Sequence, residues 1–317
     1  MLPICIHPGR QFHFSCHNVK DMKAISHRDL SRTIKRWFQF RLTAIISLTW
    51  WGIIDASPRA QELYVFSEPA SNIPARSLNL KYAGKFQQGV MSGNPEHRQS
   101  VSAQFGLDRK WMLRTGMTIS NMYQPATKFE SMNLGFKYRF FSRDEVHRHF
   151  RMALYADASR SRNNPMFDEL TTEGDQSGVQ GGIIFTQLLH KLAVSVNLSR
   201  MEVLHPRRWQ AAHANAHPYR SHNYSVSAGY LLFPRRYNDY GQTNLNLYLE
   251  FLGSRNLGKT GGFLDVAPAL QLILKSQTKV NLGYRTQVRG DVFRMSTERW
   301  MFSVETTFLN ALKRKRT

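Results

Sequence analysis

Residues 299–310 read RWMFSVETTFLN, alternating apolar with polar side chains and closing on an aromatic, Phe308, near the C-terminus. A period of two places each residue class on its own face of a strand. Similar stretches recur about a dozen times upstream, near 77–86, 99–107, 110–122, 130–141, 148–159, 176–188, 191–201, 223–233, 243–253, 262–275, 278–288 and 298–309. A soluble sheet hides its apolar face under a second layer, but here nearly every candidate layer is another strand of the same kind. The pattern therefore predicts a closed sheet, apolar face outward in lipid and polar face inward around water. The expected fold is all-β: an antiparallel transmembrane barrel of about twelve strands, preceded by a signal peptide.

The alternation holds residue by residue. Val101, Ala103, Phe105 and Leu107 alternate with Ser102, Gln104 and Gly106. Leu245, Leu247, Leu249 and Phe251 alternate with Asn246, Tyr248 and Glu250. A helical period of 3.6 would break such runs within one turn. Trp111, Tyr138, Tyr230, Trp300 and Phe308 fall near strand ends, where interfacial girdles sit. Pro268 lies inside a strand and points to a bulge or bend there. Connections alternate short (108–109, 276–277) and long (87–98, 161–175, 202–222), as between periplasmic turns and external loops. The stretch 124–128 occupies a long slot but is short, and 234–242 is longer than its slot requires.

The front end reads as an address. Residues 32–41 are basic, 42–54 (LTAIISLTWWGII) are apolar or small, and ASPRA follows at 56–60. That order is a secretory signal, and the apolar run is too short to span a bilayer comfortably as a helix. We assign 1–60 to a lead and signal, with cleavage after Ala56 or Ala60, and 61–317 to the barrel. Met22 is an alternative translation start. Both cysteines, Cys5 and Cys16, fall in this lead, which suits a chain crossing an oxidising periplasm.

The formal charge is +21. Residues 1–60 hold 9 Lys and Arg against 3 acids, leaving 34 against 19 for the rest. The charges are scattered and accompany no nucleic-acid motif, so no nucleic-acid partner is expected. Contact with anionic lipid headgroups, or a lumen biased toward anions, explains them better. The expected partners are outer-membrane lipids, the barrel-assembly machinery and small solutes.

By strand parity, Lys81, Arg114, Lys137, Arg139, Arg151, Lys279 and Arg285 point into the lumen, against Asp157, Glu250, Asp265 and Glu305. One reading is a weakly anion-selective pore, because like charges in a narrow channel focus potential on passing ions. The other is internal ion pairing that fills and rigidifies the lumen. His205, His213, His217 and His222 cluster in one loop, and His213 and His217 are spaced as two metal ligands one helical turn apart would be. No carboxylate follows Glu202 in that loop. The strand serines lack a GxSxG setting, and the acidic dipeptide Asp168-Glu169 is no constellation by itself. No catalytic site and no cofactor are expected.

At residues 263–285 (FLDVAPALQLILKSQTKVNLGYR), a strand containing APALQ, a tight turn and a strand reading VNLGYR follow one another. This hairpin, with the aromatic terminal strand, resembles phenol meta-pathway-like transporter barrels and unassigned outer-membrane proteins of similar length. The resemblance covers the last third of the chain. It implies an outer-membrane location and passage of small solutes, and carries no catalytic residues. The alternative function is a non-transporting surface protein with a filled lumen and loops that bind a metal or partner.

Overall fold

The computed structural model describes residues 64–90, 92–145, 148–163, 166–204, 218–234, 242–258 and 261–313. The signal, Met22, both cysteines, His205, His213 and His217 lie outside them. Twelve strands follow in chain order: β1 (Leu78–Gln88), β2 (Pro95–Gly106), β3 (Trp111–Ser120), β4 (Lys128–Glu145), β5 (Arg148–Ser161), β6 (Gly178–Leu189), β7 (Leu192–Val203), β8 (Arg220–Phe233), β9 (Asn244–Leu257), β10 (Gly262–Leu274), β11 (Thr278–Gly290) and β12 (Glu298–Phe308). Each pairs antiparallel with its sequence neighbours, and β1 pairs with β12 from Leu78↔Phe308 to Phe86↔Trp300, closing the barrel. Closure leaves no edge strand, as a sheet in hydrocarbon requires.

Side chains sort by parity. On β9, Leu247, Leu249 and Phe251 face out and are exposed, whereas Tyr248 and Glu250 face in and are buried. The outward set continues around the wall through Leu134, Phe136, Leu154, Leu198, Val226, Leu270 and Leu282. So large an apolar band excludes an aqueous surface and matches the acyl-chain region of a membrane. Aromatic pairs mark its rims. Trp111 stacks on Tyr138 at 4.4 Å near the end that carries the start of β1, and Tyr284 meets Trp300 at 4.7 Å near the other.

The end holding the start of β1 and the end of β12, here the terminal end, has the tight turns. Asp108 accepts from the backbone N–H groups of Lys110 and Trp111, both at 2.6 Å, fixing the β2–β3 turn. Lys275 and Ser276 both adopt positive φ in the β10–β11 turn, which suits a tight hairpin. The opposite, loop end has most of the longer connections, although 258–261 there is shorter than 234–243 at the terminal end. One differs from expectation: half of 87–98 is strand, leaving only 89–94 between β1 and β2. Pro268 makes no bulge. It sits on the outer face of β10 in continuous register with β9, and the shift against β11 falls at Leu264/Asp265 instead. A proline can remain in a strand when its missing N–H is tolerated locally.

Candidate functional site in the barrel lumen

The lumen is occupied by two stretches of this same chain. The first is 64–77, which precedes β1 and turns inward. Where it enters, Gly106 N donates to Ser77 O at 2.9 Å and Arg76 N to Gly106 O at 2.6 Å. A Cβ on Gly106 would strike the Pro74 carbonyl, so only glycine admits the chain there. Asn72 Nδ2 donates to Lys110 O at 2.7 Å. Lys137 Nζ donates to Pro69 O at 3.1 Å and Ser71 O at 2.9 Å, and Arg151 donates to Ser71 Oγ at 2.9 Å. Ala70 N donates to Thr186 Oγ1 at 2.8 Å.

The segment ends on Glu250. This fully buried carboxylate accepts from the backbone N–H groups of Val65, Phe66 and Ser67 at 2.9, 2.9 and 2.8 Å, and from Ser227 Oγ at 3.0 Å. Convergent charge-assisted bonds are the condition under which a buried carboxylate is stable. Tyr64, Val65 and Phe66 pack on Ala193, Tyr248, Ala269 and Met301, and Ala70 packs on Ala153, Tyr155 and Ile184. The small inward residues make room for backbone where larger side chains would have filled the space.

The second stretch is 166–177 of the β5–β6 connection, which folds in from the loop end. It leaves the wall between β5 and β6 and reaches β11, β12 and β1, on the far side of a twelve-strand ring. Glu169 accepts from Arg294 Nε at 3.0 Å and from Arg285 at 3.2 Å, with Arg299 at 3.9 Å. Arg285 and Arg294 also share Asp265, at 2.6 and 2.8 Å, and Arg294 lies 3.8 Å from the centre of the Phe263 ring. Glu173 pairs with Lys85. Arg98 binds Glu130 at 2.7 Å, the Glu173 carbonyl at 2.9 Å, and Asp175. Gly174 adopts φ +95 beside that guanidinium, where a side chain would be strained and would collide. Apolar anchors complete the seat: Phe167 stacks on Phe293 at 5.3 Å, and Leu170 packs on Met201 and Val203.

These pairs set the loop acids' titration. Burial acts to raise Glu173, but Lys85 outweighs it and holds the carboxyl down at about 2. Burial likewise opposes ionisation of Glu169, yet Arg285, Arg294 and Arg299 drive its pKa well below the usual carboxylate range. Asp175 goes the other way, raised by burial against Arg98.

Between the two stretches lies a cavity of about 410 Å³. Six cations (Lys81, Lys85, Arg98, Arg114, Arg285, Arg299) and four acids (Glu68, Asp157, Glu169, Glu173) line it. Arg114 is held between Glu68, at 2.6 Å, and Asp157. Lys81 forms no ion pair with any described residue.

The residues picked from sequence divide accordingly. Lys81, Arg114, Asp157 and Arg285 line the cavity. Lys137, Arg151 and Glu250 hold the inner segment, and Asp265 holds the arginine network. Lys279 and Glu305 form a buried pair at 2.6 Å away from the cavity. Arg139 is near the terminal end, donating to Arg109 O at 2.6 Å. Periodicity missed Glu68, Glu169, Glu173 and Arg294, which are not on strands, and Arg98, which fell in an expected loop. A signal for the inner segment did exist: Ala153, Ile184, Ala193, Ala269 and Met301 are apolar at inward positions, which a water-filled lumen does not explain. No group of three or more metal-ligating side chains occurs among the described residues.

No family model matches this chain, and neither does any curated protein. Among solved structures, an outer-membrane channel from Pseudomonas putida F1 superimposes with a TM-score of 0.53 at 10% identity, covering 77% of this chain and all (100%) of that one. The KdgM porin gives a TM-score of 0.42 at 10% identity, over 72% of this chain and 98% of its own. The NanC porin gives 0.44 at 10% identity with the same coverage, 72% and 98%. The first likeness shows the fold alone, a closed antiparallel barrel like that of the channel it superimposes on.

Proposed function

We propose that this protein resides in the bacterial outer membrane and passes small solutes across it, with a weak preference for anions and no enzymatic activity of its own. The observation that carries the reading is the charged cavity in the lumen, lined by six cations and four acids. An excess of fixed positive charge in a confined space raises the local anion concentration. Most neighbouring charges pair with one another, so the preference is modest.

The alternative, a non-conducting barrel with a filled lumen, draws on the inner segment 64–77 and its hydrogen bonds. Planar-bilayer recording of the purified chain separates the two. Stepwise conductance with a reversal potential displaced toward the anion potential in a salt gradient is the expected result. A folded, inserted barrel with no conductance overturns the proposal and favours the alternative.

A further inference from the structure

The outer wall carries a second charged feature, unrelated to solute passage. Arg200 on β7, His222 on β8 and Arg255 on β9 are register partners in one row, Arg200↔His222 and His222↔Arg255. All three face outward and are exposed. One step toward the loop end lies the row Glu202↔Arg220, joined at 3.0 Å, with Arg200 3.9 Å from the same carboxylate. The patch thus holds three arginines and a histidine against one acid. Elsewhere near this end the outward positions are mixed: Phe86 on β1, Ile119 on β3, Val288 on β11 and Trp300 on β12 are apolar, whereas Arg160 on β5 and Glu298 on β12 are single exposed charges.

Arg200 and Arg255 stand two strands apart, about 10 Å, with His222 between them, a span that one bound anion can bridge with the two guanidiniums. Depth in the membrane narrows the choice of anion. From Arg200 down β7 the outward residues are Leu198, Val196, Val194 and Leu192. Eight residues of strand tilted about 40° span about 21 Å, nearly the height of an apolar belt. The cationic row therefore stands at the headgroup level of the leaflet on the loop side. Directly below it runs an outward groove of about 800 Å³, lined by Leu154, Gly181, Ile183, Leu198 and Tyr224, with Arg200 and His222 at its head. Gly181, outward on β6 and without a side chain, leaves the wall hollow there.

We propose that this surface binds a phosphate-bearing lipid of the loop-side leaflet, its phosphate across Arg200, His222 and Arg255 and an acyl chain in the groove. Cationic heads match the phosphate and the apolar groove matches the chain, and neither half alone accounts for both features. The proposal needs only the inserted barrel and does not depend on conduction.

Native mass spectrometry of the full chain in detergent tests it, with bisphosphorylated lipid A, its dephosphorylated form and inorganic phosphate as probes. Retention of the phosphorylated lipid alone is expected, weakened about tenfold in R200Q/R255Q. R143Q, which removes a cation at the terminal end, should bind as the parent does. Equal retention of both lipids, or an unchanged R200Q/R255Q, overturns the proposal. Displacement of the lipid by millimolar inorganic phosphate also overturns it, since the site would then recognise a free anion. Should the double variant not fold, a photoactivatable lipid A on the parent protein decides the matter. Crosslinks at 181–183, 198–200 and 222–224 support the site, and crosslinks spread around the wall sink it.

Discussion

Replacing Glu250 with alanine should free the start of the inner segment while leaving the barrel closed. The carboxylate is the shared acceptor for three consecutive backbone N–H groups, those of Val65, Phe66 and Ser67. Charge-assisted bonds of this kind are worth about 1.5–3 kcal/mol each when their partner is lost without replacement. Here replacement is available, because the same three residues border the cavity and water can reach them. Taking about 1 kcal/mol per bond gives about 3 kcal/mol in all, or roughly a hundredfold in the docking equilibrium. The release should stop at Glu68, since Lys137, Thr186 and Arg151 still hold residues 69–71. A cysteine at Ser67, with Cys5 and Cys16 replaced, reports the change. Its reaction with a polar maleimide should accelerate by about two orders of magnitude in E250A, and by less in E250Q, which keeps one acceptor oxygen. Conductance should rise in parallel. An E250A barrel that keeps its heat-modifiable gel migration but labels at the parent rate would show that Glu250 does not retain the segment.

Four further outcomes are expected. K81E converts the cavity from six cations and four acids to five of each, so the reversal potential should move close to zero; an unmoved potential removes Lys81 from the selectivity argument. Loop 166–177 should stay docked at and above pH 5. Its Glu173 titrates at about 2 in the folded chain against the usual 4.5, so the stabilisation is complete above 4.5 and disappears as pH falls through about 2. Conductance recorded from pH 8 to 2 checks this, and loop-dependent changes between pH 6 and 8 would contradict it. L249R places a guanidinium on the outer face in mid-belt and should cost about 2–4 kcal/mol; unimpaired folding into vesicles would argue that this face does not meet lipid. G135A drives a methyl into the Asp157 carboxylate beside Arg114 and should lower stability by about 1–3 kcal/mol in urea titration, whereas a neutral result would mean the pair relocates freely.

The sequence carried the barrel because alternation is local. Leu249 and Glu250 declare opposite faces from two adjacent positions, and the twelve strand centres follow with ends shifted by a few residues. Inward charges were legible for the same reason, down to Lys81 and Arg285. What those charges do was not. Lys137 and Glu250 looked like channel lining, yet they hold residues 65–71. The distance in sequence is the obstacle: Glu250 meets Val65 across 185 positions, and no local period records such a contact.

By itself, the order of residues determined that this chain makes a closed sheet with an oily exterior, because a two-residue period in strands of this length leaves no other burial for that face. Tertiary structure alone decided that 64–77 and 166–177 enter the lumen and leave a charged cavity between them. Those segments have no repeat of their own. They are placed by single carboxylates and guanidiniums that meet only once the wall has curved round to bring opposite strands within reach.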